Sequence, residues 1–168
     1  MKITAQEEYG LRCILQLAHY PPGEPVSVTE IAEKEGLSTD YVTKLLILLR
    51  RAGLVESIRG VNGGYTLTKS PENILMIDVL QALDEDSFFY HETGELDLCK
   101  QFPGKLEECT HVKQCGIRPV WYSLMKYIYT VFGHITLAHL MREEKGKEFL
   151  NRAMEPQQEL IQISEGSG

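Results

Sequence analysis

The sequence predicts a mainly α-helical fold with one small β-hairpin: a winged helix-turn-helix domain followed by a long dimerisation helix. Three observations carry this prediction. Capped, amphipathic helical patterns occur three times in the N-terminal third of the chain. Two short apolar runs flank a Gly-rich turn directly after the third of them. An apolar stripe of helical period then returns near residue 120, after a long stretch with no sustained period.

The first helix opens at a capping box, Thr4 with Glu7, and Tyr9, Cys13, Leu17 and Ala18 recur along one face to about Tyr20. Pro21, Pro22 and Gly23 end it. Ser27, with Glu30 three residues on, opens a second short helix around Ile31 and Ala32, and Gly36 supplies the left-handed residue that closes it. Ser38 caps the third helix. Leu37 and Val42 form its hydrophobic staple, and Val42, Leu45, Leu46 and Leu49 its inward stripe. After Gly53, the runs LVESIR and GYTLT flank the turn Gly60, Val61, Asn62, Gly63, which is a hairpin pattern. A short helix is expected from Met76 to about Leu83, with Ile77 and Leu80 packing back on the domain.

Residues 84 to 117 hold three of the four cysteines among acidic, Gly and turn-forming residues, so they read as a functional loop and not a core element. Pro119 suits the first turn of the long helix, where Val120, Leu124, Ile128, Val131 and Ile135 form the expected dimer stripe. Thr136 caps a terminal helical turn through Leu140, and the remainder to Gly168 is a polar tail. The organisation is thus 1–83 winged helix-turn-helix, 84–117 cysteine loop, 118–141 dimerisation helix with its terminal turn, and 142–168 tail.

Composition narrows the function. A net charge of −7 and a pI near 5.3 argue against a chain that coats nucleic acid indiscriminately, since phosphate binding needs clustered Lys and Arg. Such a cluster exists locally. In residues 38 to 69 the basic Lys44, Arg50, Arg51, Arg59 and Lys69 outnumber the acidic Asp40 and Glu56. A recognition helix presents its N-terminal side chains to base edges in the major groove, which nominates Ser38, Thr39, Asp40, Tyr41, Thr43 and Lys44, with Tyr41 alternatively on a phosphate. Arg59, at the hairpin tip, suits a narrow minor groove. No apolar run approaches the ~20 residues of a membrane span, and the N-terminus lacks the apolar core of a secretion signal, so a cytoplasmic location is expected. No phosphate-binding Gly loop or nucleophile elbow occurs, so an enzyme is not expected.

In a reducing compartment Cys13, Cys99, Cys109 and Cys115 are thiols or metal ligands before they are disulfides. Cys13 lies on the apolar face of the first helix and reads as core. The spacing Cys99-x9-Cys109-x5-Cys115 matches neither a zinc ribbon nor a ferredoxin run. It gathers three soft ligands, which suit an iron-sulfur cluster, zinc or copper(I) with one position left to a weaker donor. His111 would complete a Cys3His zinc site. A disulfide switch between Cys109 and Cys115, or a cluster-free regulator acting through a protein partner, is the alternative.

Several segments together resemble a known family: the opening MKIT with Leu11 and Arg12, VTEIAEKEGLSTDYVTKLL, LRRAGLVESIRGVNGGYTL, IDVLQAL, three cysteines before a Trp, and ITLAHL. They are similar to the bacterial iron-sulfur transcription regulators of the IscR and NsrR type, the Rrf-two superfamily, over residues 1 to about 140. The resemblance implies a homodimer crossed through the long helices, reading a near-palindromic operator whose half-sites lie ~34 to 36 Å apart or at a multiple of that. It implies a 2Fe-2S or 4Fe-4S cluster on Cys99, Cys109 and Cys115, and Arg59 in the minor groove. IscR-type proteins place a His ligand three residues after the last cysteine, where this chain has Arg118, which stays protonated and does not ligate. NsrR-like members use an acidic residue near the partner's N-terminus, and the matching position makes Glu8 of the partner subunit the expected fourth ligand, with His111 as runner-up. Such a ligand would tether the cysteine loop of one subunit to the DNA-binding domain of the other, and release of the tether is expected to change operator affinity.

Overall fold

The computed structural model describes residues 3–83, 111, 115–142 and 151. Helix α1 (Ala5–Ala18) starts at the expected capping box: the Glu7 amide donates to Thr4 Oγ1 at 3.1 Å and the Thr4 amide to Glu7 Oε2 at 2.7 Å. Two of the amides left over at a helix N-terminus are thereby satisfied. The helix ends two residues earlier than Tyr20, with His19 as its C-cap. Helix α2 (Val28–Glu35) is capped by Ser27, whose Oγ accepts the Glu30 amide, and closed by Gly36 at φ 66°. Its capping box is only half formed. The Glu30 carboxylate instead takes the Tyr20 hydroxyl at 2.5 Å and faces Lys34 Nζ at 3.2 Å.

Helix α3 (Thr39–Arg51) follows after the short turn, with Ser38 as N-cap. Strands β1 (Val55–Ile58) and β2 (Gly64–Leu67) then pair antiparallel, from Val55 opposite Leu67 to Ile58 opposite Gly64. Val26 extends this hairpin, exchanging two main-chain hydrogen bonds of 2.9 Å with Tyr65. The approach is close enough to require glycine beside it, because a Cβ on Gly64 would stand 2.5 Å from the Val26 carbonyl carbon. A 3-10 turn (Pro71–Asn73) leads to α4 (Met76–Leu83).

One core joins these elements. Cys13, Ile14 and Leu17 of α1, Ile31 of α2, and Val42, Leu45, Leu46 and Leu49 of α3 are buried together with Leu54 and Val55. Each full-size aliphatic side chain so buried contributes about 1.5–3 kcal/mol. From α4 the cluster receives Val79, Ala82 and Leu83; Ile77 and Leu80 are buried outside it.

The long helix, α5 (Ile117–Phe132), carries Pro119 in its first turn as expected. Its stripe is divided. Val120 and Leu124 are exposed and Ile128 half-buried, whereas Val131 and Ile135 are buried within the same chain. Ile135 lies past the end of the helix, because the chain turns at Gly133 and His134 and returns to the 3-10 segment. There the Met76 amide donates to the Ile135 carbonyl at 2.7 Å and Leu75 bridges Thr136. The terminal turn α6 (Leu137–Leu140) is capped by Thr136, and Leu137 enters the main core.

Candidate DNA-binding surface and cysteine site

Helix α3 turns its apolar stripe inward, so its first turn faces solvent: Ser38, Thr39, Asp40 and Lys44 are exposed, and Tyr41 and Thr43 half-buried. Some of these groups already have local partners. Ser38 Oγ accepts the Tyr41 amide at 3.3 Å, and Thr43 Oγ1 donates to the Thr39 carbonyl at 2.7 Å. Asp40 and Lys44 are exposed and bring charge to this surface, one as acceptor and one as cation.

At the other end of α3, Arg50 and Arg51 are exposed, and Arg50 Nη1 lies 3.5 Å from Ser57 Oγ on β1. Arg59 follows β1 at the hairpin tip, also exposed. The turn beside Arg59 is tight: Gly60 takes φ 131°, and a Cβ on Gly63 would lie 2.9 Å from the Gly60 carbonyl oxygen, so both positions need glycine. Helix first turn, paired arginines and wing tip together give a basic, solvent-facing surface on an otherwise acidic chain.

A contact network that local sequence patterns do not reveal supports this surface. The Tyr9 ring of α1 meets Tyr41 edge to face, with centroids 6.1 Å apart at 82°, and the Arg12 guanidinium lies 5.4 Å from the Tyr9 centroid. Arg12 Nε donates to Glu35 Oε2 at 2.6 Å, and Gln16 donates to Glu35 Oε1 at 2.5 Å, fixing α1 against the end of α2. Tyr9 and Arg12 are three residues apart, but their partners lie far along the chain, so periodicity alone marked Tyr9 only as apolar.

Of the nominated ligands, Cys99 and Cys109 lie outside the described residues. Cys115 is half-buried just before α5, and its Sγ accepts the Arg118 amide at 3.3 Å. His111 and Glu8 are both exposed. Among the described residues no three His, Cys, Asp or Glu side chains come together as a metal site. The donor chemistry at Cys115 nonetheless fits a thiolate-held group: the sulfur is near the surface, oriented by a main-chain N–H, and placed at the positive end of a helix. Cys13 is its opposite. Burial, then the nearby Glu35 charge, push that thiol up to about 12, and it is a packing residue.

The family profile of Rrf2, described as an iron-dependent transcriptional regulator, matches residues 3–143. The chain belongs to the Rrf2 family. Among its relatives, protein rrf2 of Nitratidesulfovibrio vulgaris is 35% identical over 143 residues, covering 85% of this chain and 89% of the relative. The HTH-type transcriptional regulator IscR of Photobacterium profundum is 32% identical over 152 residues, covering 90% and 82%. The solved structure of CymR, the global cysteine regulator of B. subtilis, superposes with a TM-score of 0.67 at 30% identity, covering 86% of this chain and 99% of CymR. This Rrf2 chain is accordingly a winged helix-turn-helix, DNA-binding transcriptional regulator and not an enzyme. No helix among the described residues is long and apolar enough to cross a membrane.

Proposed function

We propose that this protein is a homodimeric, operator-binding regulator that senses iron, cluster supply, nitric oxide or redox state through an iron-sulfur cluster held by Cys99, Cys109 and Cys115, with Glu8 of the partner subunit as fourth ligand. The observation that carries the reading is Cys115: a surface-near sulfur, oriented by the Arg118 amide, at the head of the helix whose exposed face holds Val120, Trp121 and Leu124. When bound, a cluster ligated by three thiolates and one weaker donor supplies a centre that responds to oxidants and to small ligands.

The chain's own residues do the rest. Ser38, Thr39, Asp40, Tyr41, Thr43 and Lys44 present donors, acceptors and one cation to base edges, Arg50 and Arg51 neutralise phosphates, and Arg59 enters the minor groove. The exposed face of α5 pairs two copies so that two such surfaces address one near-palindromic operator in the cytoplasm. Residues 1–83 thus act as the reading domain, 84–117 as the sensing segment, 118–141 as the pairing helix and 142–168 as a polar tail. Glu8 is exposed on α1, as a ligand donated to a neighbouring subunit must be.

Likeness to CymR favours one competing reading, a regulator without a cluster that works through a zinc site with His111, a cysteine thiol switch or a protein partner. Anaerobic purification followed by assay of iron, acid-labile sulfide and zinc, with the visible spectrum, separates the two. Iron and sulfide in equal amounts with charge-transfer bands support the cluster. A colourless protein with zinc or no metal, even after reconstitution, overturns it.

A further inference from the structure

Helix α1 touches two places that matter for regulation. Its first two turns hold the end of α4: Gln6 Nε2 donates to the Leu83 carbonyl, and Gly10 packs so tightly that a Cβ there would lie 2.9 Å from Leu83 Cγ. Leu83 is the residue from which the cysteine-bearing stretch departs. Between Gln6 and Gly10, on the same turn of helix, Tyr9 rests edge to face on Tyr41 in the first turn of α3. Contacts made from neighbouring positions of one rigid helix move together.

We propose that Tyr9 is a positioning residue for DNA reading, seating Tyr41 and the first turn of α3, and that α1 couples this seat to Leu83 within the same subunit. The route differs from the tether through the partner's Glu8, since it needs no second copy. It rests on the reading of α3 as the DNA-reading helix. The contact of Tyr9 with Tyr41 is edge-to-face ring packing, and the Arg12 guanidinium lies over the same Tyr9 ring. Removing the ring loosens the seat while leaving the buried stripe of α3 in place.

The test uses the purified full chain and amide hydrogen exchange at Tyr41 and Val42, whose amides bond to Ser38. Tyr9→Leu should speed their exchange roughly two- to tenfold, the weight of one aromatic pair, with α2 and the hairpin unchanged. Tyr9→Phe should preserve protection. Gln6→Ala, which cuts the hold on Leu83, should also speed exchange in α3, and should add nothing in the Tyr9→Leu background. Protection of Tyr41 and Val42 unchanged in Gln6→Ala, or lost equally in every element, overturns the coupling. On duplex DNA carrying a selected site compared with random duplex, Tyr9→Leu should narrow the affinity ratio and Tyr9→Phe retain it. A wild-type chain that distinguishes no duplex overturns the reading of α3 itself, whereas discrimination preserved in Tyr9→Leu overturns only the role of Tyr9.

Discussion

The main-chain amide of Arg118 donates to the sulfur of Cys115 across 3.3 Å, so the contact with the candidate ligand comes from the backbone of residue 118. Arg118→Ala keeps that donor and should retain the iron content of the wild type after anaerobic purification. Arg118→Pro removes it at a helix position that tolerates proline, and should shift the reduction potential of the bound group relative to Arg118→Ala. Cys115→Ala should lose most of the iron. Iron retained in Cys115→Ala would remove Cys115 from the ligand set.

Gly10 sits where α1 crosses α4, against the buried Leu83 side chain. Gly10→Ala gains helix propensity but overpacks this crossing, and should destabilise the fold by about 1–3 kcal/mol in urea unfolding. A stabilised variant would show that α1 and α4 separate at little cost.

Burial holds the Cys13 thiol protonated in the folded chain up to about 12, against 9.0 for a free thiol. Below 9.0 both states carry the proton and Cys13 leaves stability independent of pH. Between 9.0 and about 12 the unfolded thiol ionises while the folded one resists, so stability falls with rising pH over that window. Unfolding midpoints of wild type and Cys13→Ala, compared at several pH values, should therefore converge as pH rises above 9.0. Native Cys13 should also resist alkylation until the chain unfolds.

Arg51 and Arg59 are exposed cations, one at the end of α3 and the other at the wing tip. Arg51→Ala should weaken all duplexes alike and lower the slope of log affinity against log salt by about one. Arg59→Ala should instead cost most on sites with a narrow, A·T-rich minor groove. Thr43→Val should cost affinity only where the facing base edge offers a donor, because that hydroxyl already donates to the Thr39 carbonyl and has only its acceptor lone pairs left for a base. Anisotropy titrations across salt concentrations and site sequences separate these outcomes.

Val120, Trp121 and Leu124 leave 65%, 47% and 44% of their surfaces exposed on one helix, an apolar face that pairing with a second copy would cover. Leu124→Glu should yield monomers in sedimentation velocity with the helical circular dichroism intact. A dimer that persists would move the interface away from α5.

The sequence by itself determined the elements whose causes lie within a few residues. The box of Thr4 with Glu7, the Ser27 and Ser38 caps, the left-handed Gly36, the Gly-rich wing turn and the apolar placement of Cys13 are all as the local pattern implies, because caps and turns satisfy backbone groups three or four positions away. Tertiary structure alone decided where partners lie far apart in the chain. Periodicity gave Val120 and Ile135 equal standing on one stripe, yet a turn at Gly133 buries Ile135 in its own chain and leaves Val120 outside. Glu30 was drawn from its capping box by Tyr20 and Lys34, Glu35 was claimed by Arg12 and Gln16, and Tyr9 became the seat of Tyr41. Helical spacing specifies which face of an element is apolar, but which residue meets that face depends on how the elements pack.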